Sequence, residues 1–242
     1  TLTVAASASS SAPSQLVEVI VRDNGKQIAS GRSINGEDVV IDMPSDVKLW
    51  SPDSPALYDL EISLSDGGKV LDKVSSYAAM RKFSTARDER GIVRMQLNNK
   101  PLFQFGPLDQ GWWPDGLYTA PSYEALIYDV DKTKDWGFNM IRKHIKVEPA
   151  VWYTYCDRKG IIVWQDMPSG DKGPEWIQHR YFDGSERVRS AESEKMYRDE
   201  WREIMDCLYN YPCISTWVPF NEAWGQFKTP EIAAWTKAYD PS

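Results

Sequence analysis

The sequence predicts an antiparallel β-sandwich followed by parallel β/α units, and three observations carry that prediction. Up to about residue 85, short runs of alternating hydrophobic residues are separated by Gly-containing turns. From about Pro101 the pattern changes to short apolar strands separated by amphipathic helices, the grammar of a parallel sheet with crossover helices. Polar side chains then collect just after the C-terminal ends of those strands, the edge at which parallel β/α folds bind ligands.

In the first half, Leu16 to Val21 reads as a strand, Asn24-Gly25 as a hairpin turn and Val39 to Met43 as a further strand. The alternating Leu57, Leu60, Ile62 and Leu64 lead to a second turn at Asp66-Gly67-Gly68, while Ala5 to Ser14, rich in Ala and Ser, reads as a loop. In the second half the candidate strands are Leu102 to Phe105, Phe138 to Arg142, Gly160 to Gln165 and Cys213 to Val218. A helix starting near Ser122 carries Tyr123, Leu126, Ile127 and Val130 on one face, and another over Ala191 to Tyr209 carries Tyr197, Trp201, Ile204, Met205 and Leu208. Four β/α units result. An eight-unit barrel takes roughly 250 residues, so the stretch after Pro101 is expected to supply half of one.

Composition narrows the function. Of 242 residues 42% are hydrophobic, enough for a real core. The net charge of −7 comes with no basic run to track a phosphate backbone, and no stretch approaches ~18 uninterrupted apolar residues. Neither nucleic acid nor a membrane is the expected partner. Cys156, Cys207 and Cys213 show no paired metal-binding spacing and read as buried free thiols that leave the compartment open; a periplasmic or secreted location is the first choice, with no signal peptide in these residues. His144 and His179 are the only histidines, with no H-x-H or H-E-x-x-H arrangement, and neither a phosphate-cradling Gly loop nor a G-x-S-x-G elbow occurs. No metal and no cofactor are expected.

The polar groups at the strand exits are Asp109, Arg142 with His144, Gln165 with Asp166, and Asn221 with Glu222. The last pair stands in Trp217-Val218-Pro219-Phe220-Asn221-Glu222-Ala223-Trp224, directly after an apolar strand. At such an exit a carboxyl can protonate a glycosidic oxygen while the Asn amide bonds the neighbouring sugar hydroxyl; the other reading is a solvated loop carboxylate. Trp112, Trp113 and Trp224 are candidates for stacking on a sugar ring, or for the core. Lys146 and Glu148, just beyond His144, read first as a solvated loop pair, with a reach to the rim as the other reading.

Leu49-Trp50-Ser51-Pro52-Asp53-Ser54-Pro55-Ala56-Leu57-Tyr58 resembles the W-S-P-x-x-P-x-L-Y stretch of the immunoglobulin-like domain of glycoside hydrolase family 2. Asn98-Asn99-Lys100-Pro101 is similar to that family's N-G-K-P entry to its barrel, and Trp136-Gly137-Phe138-Asn139-Met140-Ile141-Arg142 to its G-x-N-x-I-R. Cys156-Asp157-Arg158-Lys159-Gly160-Ile161 is like its C-D-x-x-G, and Tyr211-Pro212-Cys213-Ile214 like its H-P-S-I. The resemblance implies an immunoglobulin-like β-sandwich over residues 1–88 and a partial (β/α)8 TIM barrel of about four β/α units over residues 89–242. It implies retaining hydrolysis of O-glycosidic bonds in β-glycosides, with Glu222 as acid/base. Substrate-binding roles are expected for Asn221, Arg142, His144, Asp166, Trp224, Trp112 and Asp109. The family's nucleophile is a Glu on a later strand, so no residue here takes that role and the chain alone is expected to be inactive. β-Galactosides come first among the glycones, with mannosides and glucuronides behind; a homo-oligomer is open.

The departures bear on the site. His144 lies two residues after Arg142 rather than three, Pro219-Phe220 stands where many members have Leu-Gly, and Trp164-Gln165-Asp166 resembles the W-Q-D of β-mannosidase members. Asp166 reads equally as a partner of Arg142. The rival function is a non-catalytic carbohydrate-binding or assembly protein on the same fold.

Overall fold

Residues 1–8, 12, 14–171, 186, 188–221 and 225–241 are described by a computed structural model, and the chain falls into two units, Thr1–Arg81 and Lys82–Ser242. The first unit contains β1 (Leu2–Val4), β2 (Gln15–Asp23), β3 (Lys26–Ile34), β4 (Val39–Ile41), β5 (Tyr58–Asp66) and β6 (Lys69–Ala78). A four-stranded antiparallel sheet runs in the order β3-β2-β5-β6, and β1 pairs with β4. Alternation in β2 turns Val17, Val19 and Val21 inward, where they pack with Val39, Ile41, Tyr58 and Leu60. Burying each such side chain contributes roughly 1.5–3 kcal/mol. The hairpin turns follow from backbone handedness: Asn24 and Gly25 take φ of 49° and 79°, and Gly67 and Gly68 take 54° and 85°.

The W-S-P segment is a fixed corner of this unit. Trp50 is fully buried and its N–H donates to the Met80 carbonyl at 2.9 Å. Ser51 and Ser54 exchange backbone bonds, and the Tyr58 hydroxyl accepts from the Lys48 N–H at 2.6 Å while donating to the Lys48 carbonyl at 3.1 Å.

The second unit opens with an antiparallel trio, β7 (Phe83–Arg87), β8 (Val93–Leu97) and β9 (Lys100–Pro101). Then follow β10 (Leu108–Asp109), α1 (Tyr123–Asp135), β11 (Met140–Lys143), α2 (Ala150–Lys159), β12 (Ile162–Asp166), α3 (Ala191–Leu208), β13 (Ile214–Val218) and α4 (Thr229–Tyr239). Strands β10-β11-β12-β13 form one parallel sheet in chain order.

The first parallel strand differs from expectation: it is Leu108–Asp109, not Leu102 to Phe105. The Asn139 side chain explains the difference, accepting from the Phe105 N–H at 2.8 Å and donating to the Phe103 carbonyl at 2.9 Å, so it replaces a strand partner. Pro107 has no N–H to offer a ladder. Its carbonyl does accept from the Arg142 N–H at 3.0 Å, which brings the chain alongside β11.

Among the described residues, serine caps open two of the four helices. Ser122 Oγ accepts from the Ala125 N–H at the start of α1, Ser190 Oγ does the same for Ser193 in α3, and Glu192 and Glu194 stand in the first turn of α3. The α3 face expected to be apolar is buried, with Tyr197, Trp201 and Met205 packing on Met167, Phe227 and Ile232. Cys156 and Cys213 are buried thiols as expected, whereas Cys207, which is not part of that buried face, is exposed, a correction to the expectation of three buried thiols. No helix among the described residues is long and apolar enough to cross a membrane.

Candidate active site at the strand exits

Register decides which polar residues meet. Arg142 lies opposite Trp164, and Asp166 is two residues further along β12, so both side chains leave the same face of the sheet. The guanidinium grips the carboxylate with both prongs, Nε donating to Oδ1 and Nη2 to Oδ2, each at 2.9 Å. Asp166 is fully buried, and the Ile145 N–H donates to its Oδ2 at 3.2 Å. A carboxylate so placed needs a charge partner and hydrogen bonds. Arg142 supplies the charge, so Asp166 is a partner of Arg142.

The same Nη2 donates to Asn221 Oδ1 at 3.0 Å. Asn221 is 4% exposed, and with its oxygen taken by a cation its amide N–H groups are what it can offer to anything else. One guanidinium therefore joins the ends of β11 and β12 to the residue beyond β13. The approach to Asn221 is also held: the Tyr197 hydroxyl donates to the Pro219 carbonyl at 2.6 Å, and Phe220 stacks on the Tyr197 ring with centroids 5.3 Å apart. The Pro219-Phe220 departure thus supplies an aromatic to the α3 core.

Asp109 goes elsewhere. Its β-ladder partner is Lys143, one residue past Arg142, so it points to the opposite face of the sheet. There Lys143 Nζ donates to Asp109 at 2.7 Å and to Glu148 at 2.9 Å, 4.6 Å from the Trp152 ring centroid. Lys146 Nζ pairs with Glu148 at 2.9 Å and donates to the Gly111 carbonyl at 2.5 Å. Lys146 and Glu148 are 1% and 6% exposed, which corrects the expectation of a solvated pair: the two ammoniums and two carboxylates balance one another out of water. Gly111, at φ 65°, is required there, since a Cβ would stand 2.5 Å from Glu148 Oε1 and 3.0 Å from Lys143 Nζ. Close by, burial and then the Asp109 charge push the Asp129 carboxyl above its ordinary value.

His144 is buried at 8% exposure; its N–H donates to the Asp109 carbonyl at 2.9 Å, and its Nδ1 has no hydrogen-bond partner among the described residues. Trp112 is 55% exposed, meets Tyr118 edge-on at 5.1 Å and lines a cavity of about 460 Å³ with Gly111, Trp113, Tyr128 and Asp129. Glu222 and Trp224 lie outside the described residues, as does His179. Of the expected site residues, Arg142, Asp166 and Asn221 come together; Asp109 joins the Lys143 cluster, and Trp112 meets Tyr118. Lys143 was not anticipated, although a lysine inside an apolar strand with acids within reach is a sequence signal for a buried pair.

Residues 1–81 match a family model described as glycosyl hydrolases family 2. A protein of Formosa agariphila provisionally named a β-glucuronidase is 28% identical over 202 residues, 81% of this chain and 17% of that protein. A β-galactosidase of Lactococcus lactis is 28% identical over 196 residues, again 81% of this chain and 18% of the relative. The chain thus spans less than a fifth of the length of these two relatives. Among solved structures, an FMN-binding β-glucuronidase from Facaelibacterium prausnitzii superposes with a TM-score of 0.76 at 21% identity, covering 96% of this chain and 34% of that one. At that identity the structural match speaks for the fold. The resemblance of this chain to glycoside hydrolase family 2 is thereby shown, by a domain model over its first third and by related sequences along four fifths of its length.

Proposed function

We propose that this chain is part of a retaining β-glycosidase in which Glu222 is the acid/base. The observation that carries the reading is the Arg142–Asp166–Asn221 bridge at the C-terminal edge of the parallel sheet, because it fixes the residue immediately before Glu222. The reading takes residues 1–88 as an immunoglobulin-like sandwich and residues 89–242 as the first four β/α units of a barrel. Strands β10 to β13, parallel in chain order and each followed by a helix, support it.

In the proposed reaction a carboxylate attacks the anomeric carbon as the bond to the leaving oxygen breaks, and Glu222 gives that oxygen its proton. Glu222, now ionised, takes a proton from water, whose oxygen displaces the carboxylate and returns a sugar of unchanged configuration. The two carboxyls of a retaining pair stand about 5–5.5 Å apart. No residue of this chain is assigned as the nucleophile; the relatives are several times longer than the aligned stretch, and the reading assigns the nucleophile to that additional length. Asn221, whose oxygen is held by Arg142, is assigned to the sugar hydroxyl beside the anomeric carbon. Arg142 and Asp166 hold it there, and Asp109 belongs to the Lys143 cluster rather than to substrate.

The relatives' names put β-galactosides and β-glucuronides first among substrates. The test is to incubate the natural polypeptide that carries this sequence with aryl β-galactoside, β-glucuronide and β-mannoside, following the released sugar by proton NMR. Release from one of them with the β-anomer appearing first is expected. An α-anomer appearing first would exclude retention, and no release from any would favour the non-catalytic alternative.

A further inference from the structure

We propose that Arg189 is a positioning residue for the proton transfer, fixing the far end of the short segment that carries Glu222. The proposal rests on the reading of Glu222 as acid/base. Arg189 stands just before the cap of α3, and its Nε and Nη2 donate to the Gly225 carbonyl at 3.0 and 2.9 Å. Nη2 also donates to the Ser169 carbonyl at 2.5 Å, and Nη1 to Ser193 Oγ at 3.2 Å. The guanidinium lies 4.8 Å from the Phe227 ring centroid and 5.1 Å from that of Tyr197, so both aromatic faces of the α3 core set its orientation.

The two loops leaving β12 and β13 are thus joined twice. Arg142 joins them at the root through Asp166 and Asn221, and Arg189 joins them further out through Ser169 and Gly225. Glu222 is the first residue inside the 221–225 segment, between a side chain held by one arginine and a carbonyl held by the other. Gly225 shows how closely the outer junction is built: at φ 64°, an added Cβ would fall 2.0 Å from the Ser169 carbonyl oxygen and 2.4 Å from Arg189 Nη2. A general acid must sit within hydrogen-bond reach of the leaving oxygen, so slack in a segment of this length reduces proton transfer before it reduces binding.

The experiment measures kcat/KM of the natural polypeptide and of Arg189→Ala and Arg189→Lys on 2,4-dinitrophenyl and phenyl β-galactosides or β-glucuronides, whichever glycone the wild type accepts. A dinitrophenolate departs with little help from an acid; a phenolate needs it. Arg189→Ala is expected to lower kcat/KM on the phenyl glycoside roughly 10- to 10²-fold, part of the 10²–10⁴ that general acid catalysis supplies, and to change the dinitrophenyl value far less. Arg189→Lys, which cannot fork onto two carbonyls, is expected to behave the same way while melting near the wild type, so a folding failure of the alanine variant does not block the test. An equal fall on both substrates, or none, overturns the proposal. Glu222→Gln measured alongside separates the two readings: if it shows the leaving-group dependence and the Arg189 variants do not, only the positioning role fails. If it shows none, the acid/base reading fails and this proposal with it.

Discussion

Replacing Asp166 by Asn keeps its volume and removes its charge, leaving the Arg142 guanidinium without its bidentate partner. The carboxylate accepts from Arg142 Nε, Arg142 Nη2 and the Ile145 N–H. An amide has one oxygen, and its NH₂ would have to face another donor. Removing one member of a buried ion pair typically costs about 3–5 kcal/mol. The Arg142 side chain is 25% exposed and can recover some hydration, which puts the expected loss near the lower end, about 3 kcal/mol. With a urea slope of about 2 kcal/mol/M, the unfolding midpoint should fall by about 1.5 M. Tryptophan fluorescence is the suitable probe, since ten of the eleven tryptophans lie beyond residue 81 and Trp50 alone precedes it. The double variant Arg142→Met with Asp166→Leu, which removes both charges, should lose less than the sum of the two single changes. A midpoint shift below about 0.3 M for Asp166→Asn, or strict additivity in the double variant, would refute the claim that this pair is a coupled buried bridge.

Other consequences follow from packing and charge. Trp201→Ala should cost about 3–5 kcal/mol by urea unfolding, because it empties a fully buried site and removes the Nε1–H bond to Thr236 Oγ1 at 3.0 Å. Gly106→Ala should abolish or sharply reduce soluble expression: its Cβ would fall 1.6 Å from the Met140 carbonyl oxygen, main chain that cannot step aside. The Glu194 carboxyl is held below its ordinary 4.5, first by Lys228 and then by Arg198. A lowered folded value means the stabilisation is fully present above the unfolded value and is lost as pH falls through the folded one. The melting temperature of the wild type should therefore drop more steeply below about pH 4.5 than that of Glu194→Gln.

The elements read most directly from the sequence were those whose pattern depends on nothing distant. The α3 stripe of Tyr197, Trp201, Met205 and Leu208 and the left-handed turns at Asn24-Gly25 and Gly67-Gly68 are local facts, and the structure has them as expected. The meeting of Arg142, Asp166 and Asn221 was legible for a related reason: all three stand at or just beyond the C-terminal ends of strands, and strand ends in a parallel sheet share an edge. Asp109 stands at a strand end too, yet it faces away. Only the register, Asp109 opposite Lys143 rather than Arg142, decides that, and register between strands 34 residues apart leaves no local trace. Lys146 and Glu148 were misjudged because charged residues after a strand are usually solvated, whereas here each finds an opposite charge. The first parallel strand was set early for want of one fact, that the Asn139 side chain takes the backbone partners of Phe103 and Phe105. Arg189 carries no motif; its role depends on two carbonyls from separate loops.

The central claim is that Glu222 gives and takes the catalytic proton, and Glu222→Gln in the natural polypeptide tests it most directly. The variant is expected to melt with the wild type and to lose roughly 10²- to 10⁴-fold in kcat/KM on a phenyl β-glycoside, with a much smaller loss on the dinitrophenyl analogue. Unchanged hydrolysis of the phenyl glycoside by the folded variant would contradict the claim.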